Sequence, residues 1–170
     1  MSDARTFAAE IVDLEPQPTA AVRIQQKMSE LDLKSAFGRL LSAVAERIAA
    51  AGGSIGGPSY GRYHRFGPDI VDVEIGFPVG TPPADLPPLS SVLSGEVGSS
   101  QLPGGQMART MHLGSYDGLS ATYDALHEWI HAQPGVDDGA GPWESYIEMP
   151  DDMADPSAAR TEVIWPLVRE

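Results

Sequence analysis

At 170 residues with 42% hydrophobic content, the chain is long enough to bury a core and too apolar for wholesale disorder. Its 24 acidic residues against 11 basic ones give a formal net charge of −13, which repels phosphate backbones and anionic membrane surfaces and favours cationic ligands. The absence of cysteine removes disulfides, thiolate metal ligands and a cysteine nucleophile. The start at Met1-Ser2-Asp3-Ala4-Arg5 has no basic segment leading into an apolar run. No stretch reaches the ~18 apolar residues of a membrane helix. The expectation is a cytoplasmic protein with no direct nucleic-acid or membrane contact.

Residues 7–14 and 20–28 alternate loosely around Pro16 and Pro18 and read as short strands about a proline-held turn. Leu33, Phe37, Leu40, Val44 and Ile48 recur at three- and four-residue intervals, with Asp32 as a candidate N-cap and Gly52-Gly53 as a stop. This spacing predicts an amphipathic helix over 33–50. Strands follow near 58–66 and 70–79, the second placing Val71, Val73, Ile75 and Phe77 on one face and Asp72, Glu74 and Gly76 on the other. Pro82, Pro83, Pro87 and Pro88 mark 80–93 as a linker.

The second half repeats the first. At an offset of 86, Glu10-Ile11 falls on Glu96-Val97, Val22-Arg23 on Ala108-Arg109, Leu33 on Leu119, Phe37 on Tyr123, Leu40 on Leu126 and Val44 on Ile130. Gly57-Pro58 then meets Gly141-Pro142 at 84, and Glu74 through Pro78 meets Glu162 through Pro166 at 88. One order-preserving series across strand, helix and two strands points to a duplication. Each unit, about 7–79 and 94–168, is too small to bury both its sheet face and its helix. Together they predict an α+β fold, a pseudo-twofold pair of strand–helix–strand–strand units with a groove at the seam.

The Trp143-Glu144-Ser145-Tyr146 strand sets a carboxylate between two aromatic residues. Parity puts Trp143, Ser145 and Ile147 on one face and Glu144, Tyr146 and Glu148 on the other. The duplication pairs this strand with Ser59-Tyr60-Gly61-Arg62, which carries no carboxylate, so one half of the groove would be acidic and the other aromatic. His127-Glu128-Trp129-Ile130-His131 matches H-E-x-x-H, a zinc motif when it lies on a helix. Three points argue against it. Glu128 lies almost opposite the buried stripe, the repeat partner Leu41 to Ala45 needs no metal, and no third histidine follows. The third ligand would have to be Glu144, Glu148 or an aspartate. No metal and no cofactor are expected. Gly52 to Gly57 lacks the Lys-Ser/Thr of a phosphate loop and reads as a helix exit.

These features in order resemble the GyrI-like effector-binding domains of multidrug-responsive transcription regulators and their stand-alone relatives. The matching residues are Val22-Arg23, Leu102-Pro103-Gly104-Gly105, the strand ending His112-Leu113-Gly114-Ser115-Tyr116, Tyr123-Asp124-Ala125-Leu126, Glu144-Ser145-Tyr146 and Thr161 through Leu167. The resemblance implies a groove for lipophilic, often cationic aromatic compounds, with a buried Glu as counter-ion. Carried over, that residue is Glu144, with Tyr146 beside it. Where the family has Asn-Asp-Pro after the Tyr, this chain has Ile147-Glu148-Met149-Pro150, and no helix-turn-helix part is present. The expectation is therefore a stand-alone member.

Three functional readings stay open. The first is sequestration or sensing of a small lipophilic or cationic ligand by Glu144 and Tyr146, with Trp143, Trp165, Tyr60, Tyr63 and Phe77 as walls. The second is an enzyme on the same scaffold, in which Glu144 activates water against a reactive electrophile and Tyr146 donates or positions a proton. The third is a protein partner, including the topoisomerase modulation that the resemblance implies.

Overall fold

The computed structural model describes residues 8–27, 33–66, 69–92, 95–114, 118–139, 141–148 and 159–169. Several expectations fall on residues outside these: the N-cap Asp32, the unit boundaries at 7 and 94, the end of the first strand pair at 28, and Ser115, Tyr116, Met149 and Pro150.

The elements run β1 (Ala9–Leu14), β2 (Gln17–Lys27), α1 (Leu33–Ala50), β3 (Tyr60–Phe66), β4 (Ile70–Pro78), β5 (Gly98–Leu102), β6 (Gly105–Leu113), α2 (Leu119–His131), β7 (Val136–Asp138), β8 (Trp143–Glu148) and β9 (Arg160–Arg169). Helix α1 spans the residues its apolar spacing predicts. It ends where Gly52 takes a positive φ of 77° and Gly53 N donates back to Ile48 O at 2.9 Å, a glycine-dependent closure of the last turn.

The strands form one curled antiparallel sheet in the order β1-β6-β9-β8-β3-β4-β2-β5, with β7 added against β9. This order is a palindrome when β2, α1, β3 and β4 are matched with β6, α2, β8 and β9. The seam is the β3–β8 ladder, where Tyr60, Gly61 and Arg62 oppose Ser145, Glu144 and Trp143. Strands β1 and β5 cross over: β1 pairs with β6 of the second unit and β5 with β2 of the first. Each unit thus extends the other's half of the sheet, which ties the halves together and leaves β1 and β5 as the end strands.

Both helices cover one face of the sheet. Leu41, Val44 and Ile48 of α1 pack on Ala20, Val22, Ile24, Val71, Val73 and Ile75. Leu126 and Ile130 of α2 pack on Ala108 and Val163, both helix residues fully buried and each worth roughly 1.5–3 kcal/mol. The other face has its own cluster of Ala21, Tyr60, Leu89, Met107, Trp143 and Ile164. Leu89 comes from a short 3-10 turn (Leu89–Ser91) inside the proline-rich segment, which is further fixed by Ala84 N donating to Ala51 O at 3.0 Å.

Candidate functional site

Residues directly opposed in an antiparallel ladder point to the same face, so the seam can be read row by row. One row runs Val22, Ile75, Gly61, Glu144, Val163, Thr110 and lies under the helices. The next runs Arg23, Glu74, Arg62, Trp143, Ile164, Arg109 and lies on the opposite face. Glu144 therefore sits at the centre of the sheet, facing the gap between α1 and α2, and is 3% exposed.

Its partners are tyrosines. Tyr123 Oη, from α2, donates to Glu144 Oε2 at 2.8 Å, and Tyr146 Oη donates to Oε1 at 3.3 Å. Tyr63 supplies a third hydrogen bond to the same carboxyl. Phe37 of α1 packs edge-on to Tyr146 with ring centroids 5.4 Å apart at 85°. Trp165 stands edge-on to Tyr123 at 5.9 Å. Burial pushes the Glu144 carboxyl above the usual carboxylate range, and the three phenol hydrogen bonds offset only part of that. Among the described residues no Lys, Arg or His acts on it. Burial and the adjacent Glu144 push the Tyr123 phenol upward, so it remains a donor.

The expected site residues divide between two faces. Glu144, Tyr146, Tyr63 and, through Tyr123, Trp165 come together. Phe77 shares their face but packs in the first-unit core with α1. Trp143 and Tyr60 lie on the far face, where with Ile164, Leu102, Ser145 and Glu162 they line a cavity of ≈ 250 Å³. Trp143 is there by strand alternation, as its parity predicts; for Tyr60 the reason is register. The ladders match Gly61 with Glu144 and Tyr60 with Trp143, because Gly61 opposes Ile75 as Glu144 opposes Val163. The sequence match on Gly57-Pro58 slips by one residue, and one residue flips a strand side chain to the other face. Two members of the cluster, Phe37 and Tyr123, are not among the residues that the sequence pointed to as a site. Their signal was available, since they are the repeat-matched aromatics of the two helix stripes.

The first half does carry a buried carboxylate, Glu74, 2% exposed, but on the far face. Its Oε1 lies 2.9 Å from His64 Nε2, and Tyr60 Oη donates to Oε2. Burial raises its pKa, but hydrogen bonds from His64, Tyr60 and Ser100 outweigh burial and hold it below the usual range. The two glutamates are thus shifted in opposite directions: burial dominates at Glu144, whereas at Glu74 the hydrogen bonds from His64, Tyr60 and Ser100 outweigh it.

The model of the GyrI-like small molecule binding domain matches residues 8–168. The chain belongs to that family. No curated protein sequence matches it. Among solved structures, the EcmrR C-terminal domain superposes with a TM-score of 0.74 at 20% identity, covering 97% of this chain and 99% of that one. A hydrolase encoded by lin2189 from Listeria innocua gives a TM-score of 0.59 at 13% identity, covering 94% and 91%. SAV2435 bound to tetraphenylphosphonium gives 0.60 at 12% identity, covering 95% and 94%. These likenesses establish the GyrI-like α+β fold. Among the described residues no helix of this GyrI-like chain is long and apolar enough to cross a membrane.

Proposed function

We propose that this GyrI-like domain binds a lipophilic aromatic cation between α1 and α2, with Glu144 as its counter-ion and Tyr146, Tyr63, Tyr123, Phe37 and Trp165 as its walls. The observation that carries the reading is the Glu144 carboxyl, 3% exposed and held only by phenols. A buried carboxylate without a cationic partner costs free energy that a bound cation would recover. The rings around it each add roughly 0.5–2 kcal/mol by cation–π attraction. The burial of Glu144 means that a ligand must part the Phe37, Tyr146 and Tyr123 rings on entry. The far-face cavity is a weaker candidate, because the carboxylates lining it, Glu15 and Glu162, are not buried. Support also comes from SAV2435, a structural neighbour bound to tetraphenylphosphonium. The test is a tetraphenylphosphonium titration followed by tryptophan fluorescence, with Trp165 beside Tyr123 as reporter. Saturable change is expected, and a flat titration contradicts the reading.

A second reading has its own observation. A carboxyl whose basicity is raised by burial can act as a base towards water, and Tyr146 and Tyr123 can position that water or hydrogen-bond a leaving oxygen. The likeness to a protein described as a hydrolase favours testing it. Under this reading a strained electrophile is turned over by the wild type, and Glu144→Gln abolishes turnover while retaining binding.

A further inference from the structure

A second group of polar side chains lies outside the Glu144 cluster, on the outer flank of α2. His127 and His131 are one helical turn apart and present their imidazoles side by side, with ring centroids 4.3 Å apart. Their Nε2 atoms are 3.1 Å from each other. Asp138, from β7, places Oδ1 2.7 Å from His131 Nε2 and 3.3 Å from His127 Nε2. All three donor atoms therefore converge on one point. A first-row divalent ion at about 2.0–2.2 Å from nitrogen and oxygen ligands holds its donors about 3 Å apart, which is the size of this triangle.

Protons alone account poorly for the arrangement. If both Nε2 atoms carry hydrogens, two N–H groups face each other at 3.1 Å. If only His131 does, its single proton must be shared between Asp138 Oδ1 at 2.7 Å and the His127 lone pair at 3.1 Å. A cation that accepts one lone pair from each group has neither conflict.

The third ligand is held in place. Asp138 opposes Leu167 in the β7–β9 ladder, Gly139 N donates to Pro166 O at 2.7 Å, and Trp165 Nε1 donates to Gly139 O at 2.9 Å. Asp137 adds a second carboxylate, with Oδ1 3.3 Å from His131 Nε2. The His127 and His131 side chains are 48% and 46% exposed, so an ion can arrive from solvent and keep water in its remaining positions. The chain's net charge of −13 attracts cations to such a site.

We infer that His127, His131 and Asp138 form a binding site for one first-row divalent transition metal ion of the zinc, nickel or copper type. Two imidazoles with a carboxylate select these ions over magnesium or calcium, which prefer all-oxygen shells. The site differs from the protease reading of H-E-x-x-H. Glu128 is not in the group, and the third ligand comes from β7 seven residues beyond His131, a position that helix spacing does not reveal. The site also borders the proposed ligand groove, because the His127 ring lies 5.5 Å from Trp165, the neighbour of Tyr123.

The experiment uses the full chain without an affinity tag. Zn²⁺ is bound by equilibrium dialysis and counted, and Cu²⁺ is followed by quenching of tryptophan fluorescence. One equivalent per chain is expected. His127→Ala or Asp138→Asn should weaken binding by about tenfold or more. The double variant His127→Ala/His131→Ala should abolish it, and Glu144→Gln should leave it unchanged. Circular dichroism verifies folding. A second measurement needs no variant: with ¹⁵N-labelled histidine, Zn²⁺ should shift the side-chain resonances of His127 and His131 and spare those of His64 and His112. No saturable binding by the wild type, binding that survives the double variant, or equal shifts at all four histidines would each overturn the inference.

Discussion

Gly61 lies directly opposite Glu144 in the seam ladder, and a Cβ at that glycine would come within 2.7 Å of Tyr146 Oη and 3.1 Å of Phe37 Cζ. The glycine thus clears the space in which Tyr146 reaches the carboxylate and Phe37, from the other unit, packs against Tyr146. Alanine would ordinarily gain a little in a strand, about 0.5–1 kcal/mol. Here overpacking should win, at about 1–3 kcal/mol. Gly61→Ala is expected to lower the melting temperature and weaken ligand binding. Adding Tyr146→Phe should restore part of the lost stability by removing the atom in closest conflict. Thermal unfolding of both variants checks this, and a stabilised Gly61→Ala protein would show that the seam is not tightly packed.

The pH dependence of Glu144 follows from the direction of its shift. Its folded pKa is raised above the ordinary value of 4.5, so the folded protein holds the proton more tightly than the unfolded chain. As pH climbs through the interval between those two values, stability falls, and it stays lower above. Glu144→Gln mimics the neutral carboxyl. It is expected to stabilise the protein at neutral pH and to match the wild type below about pH 4. Urea unfolding at several pH values measures the difference.

Glu74 should behave in the opposite way. Its folded pKa is depressed, so its contribution is present above 4.5 and lost as pH falls through the folded value. Glu74→Gln removes charge-assisted bonds to His64 and Tyr60 and is expected to cost about 1.5–3 kcal/mol at neutral pH, shrinking in acid. The contrast between two buried glutamates, one stabilising as its charged form and one as its neutral form, separates a carboxylate with a histidine partner from one held by phenols.

Much of this was legible in the sequence. The helix stripes from Phe37 to Ile48 and from Tyr123 to Ile130 carry their own periodicity, and the duplication predicts the two-unit sheet. Glu144 stood out as a carboxylate between aromatics. What the sequence could not supply was the register between the two copies. Register is a long-range property, and a single-residue slip in the repeat match moved Tyr60 off the face of Glu144, whereas Trp143 lies on the opposite face as strand parity predicts. The burial of Glu74 was hidden for a related reason. Strand β4 lies between β3 and β2 and is covered on both faces, although its alternating pattern reads as half exposed. The crossed strands β1 and β5, and the three-residue β7 that delivers Asp138, depend on partners far away in the chain and leave no local mark.

The proposed counter-ion role of Glu144 is open to a binding test. The most direct test compares tetraphenylphosphonium with a neutral aromatic compound of similar shape on wild type and Glu144→Gln, by calorimetry. The variant is expected to lose tenfold or more in affinity for the cation, about 1.4 kcal/mol, while the neutral compound binds both proteins alike. Equal affinity of the two proteins for the cation would contradict it.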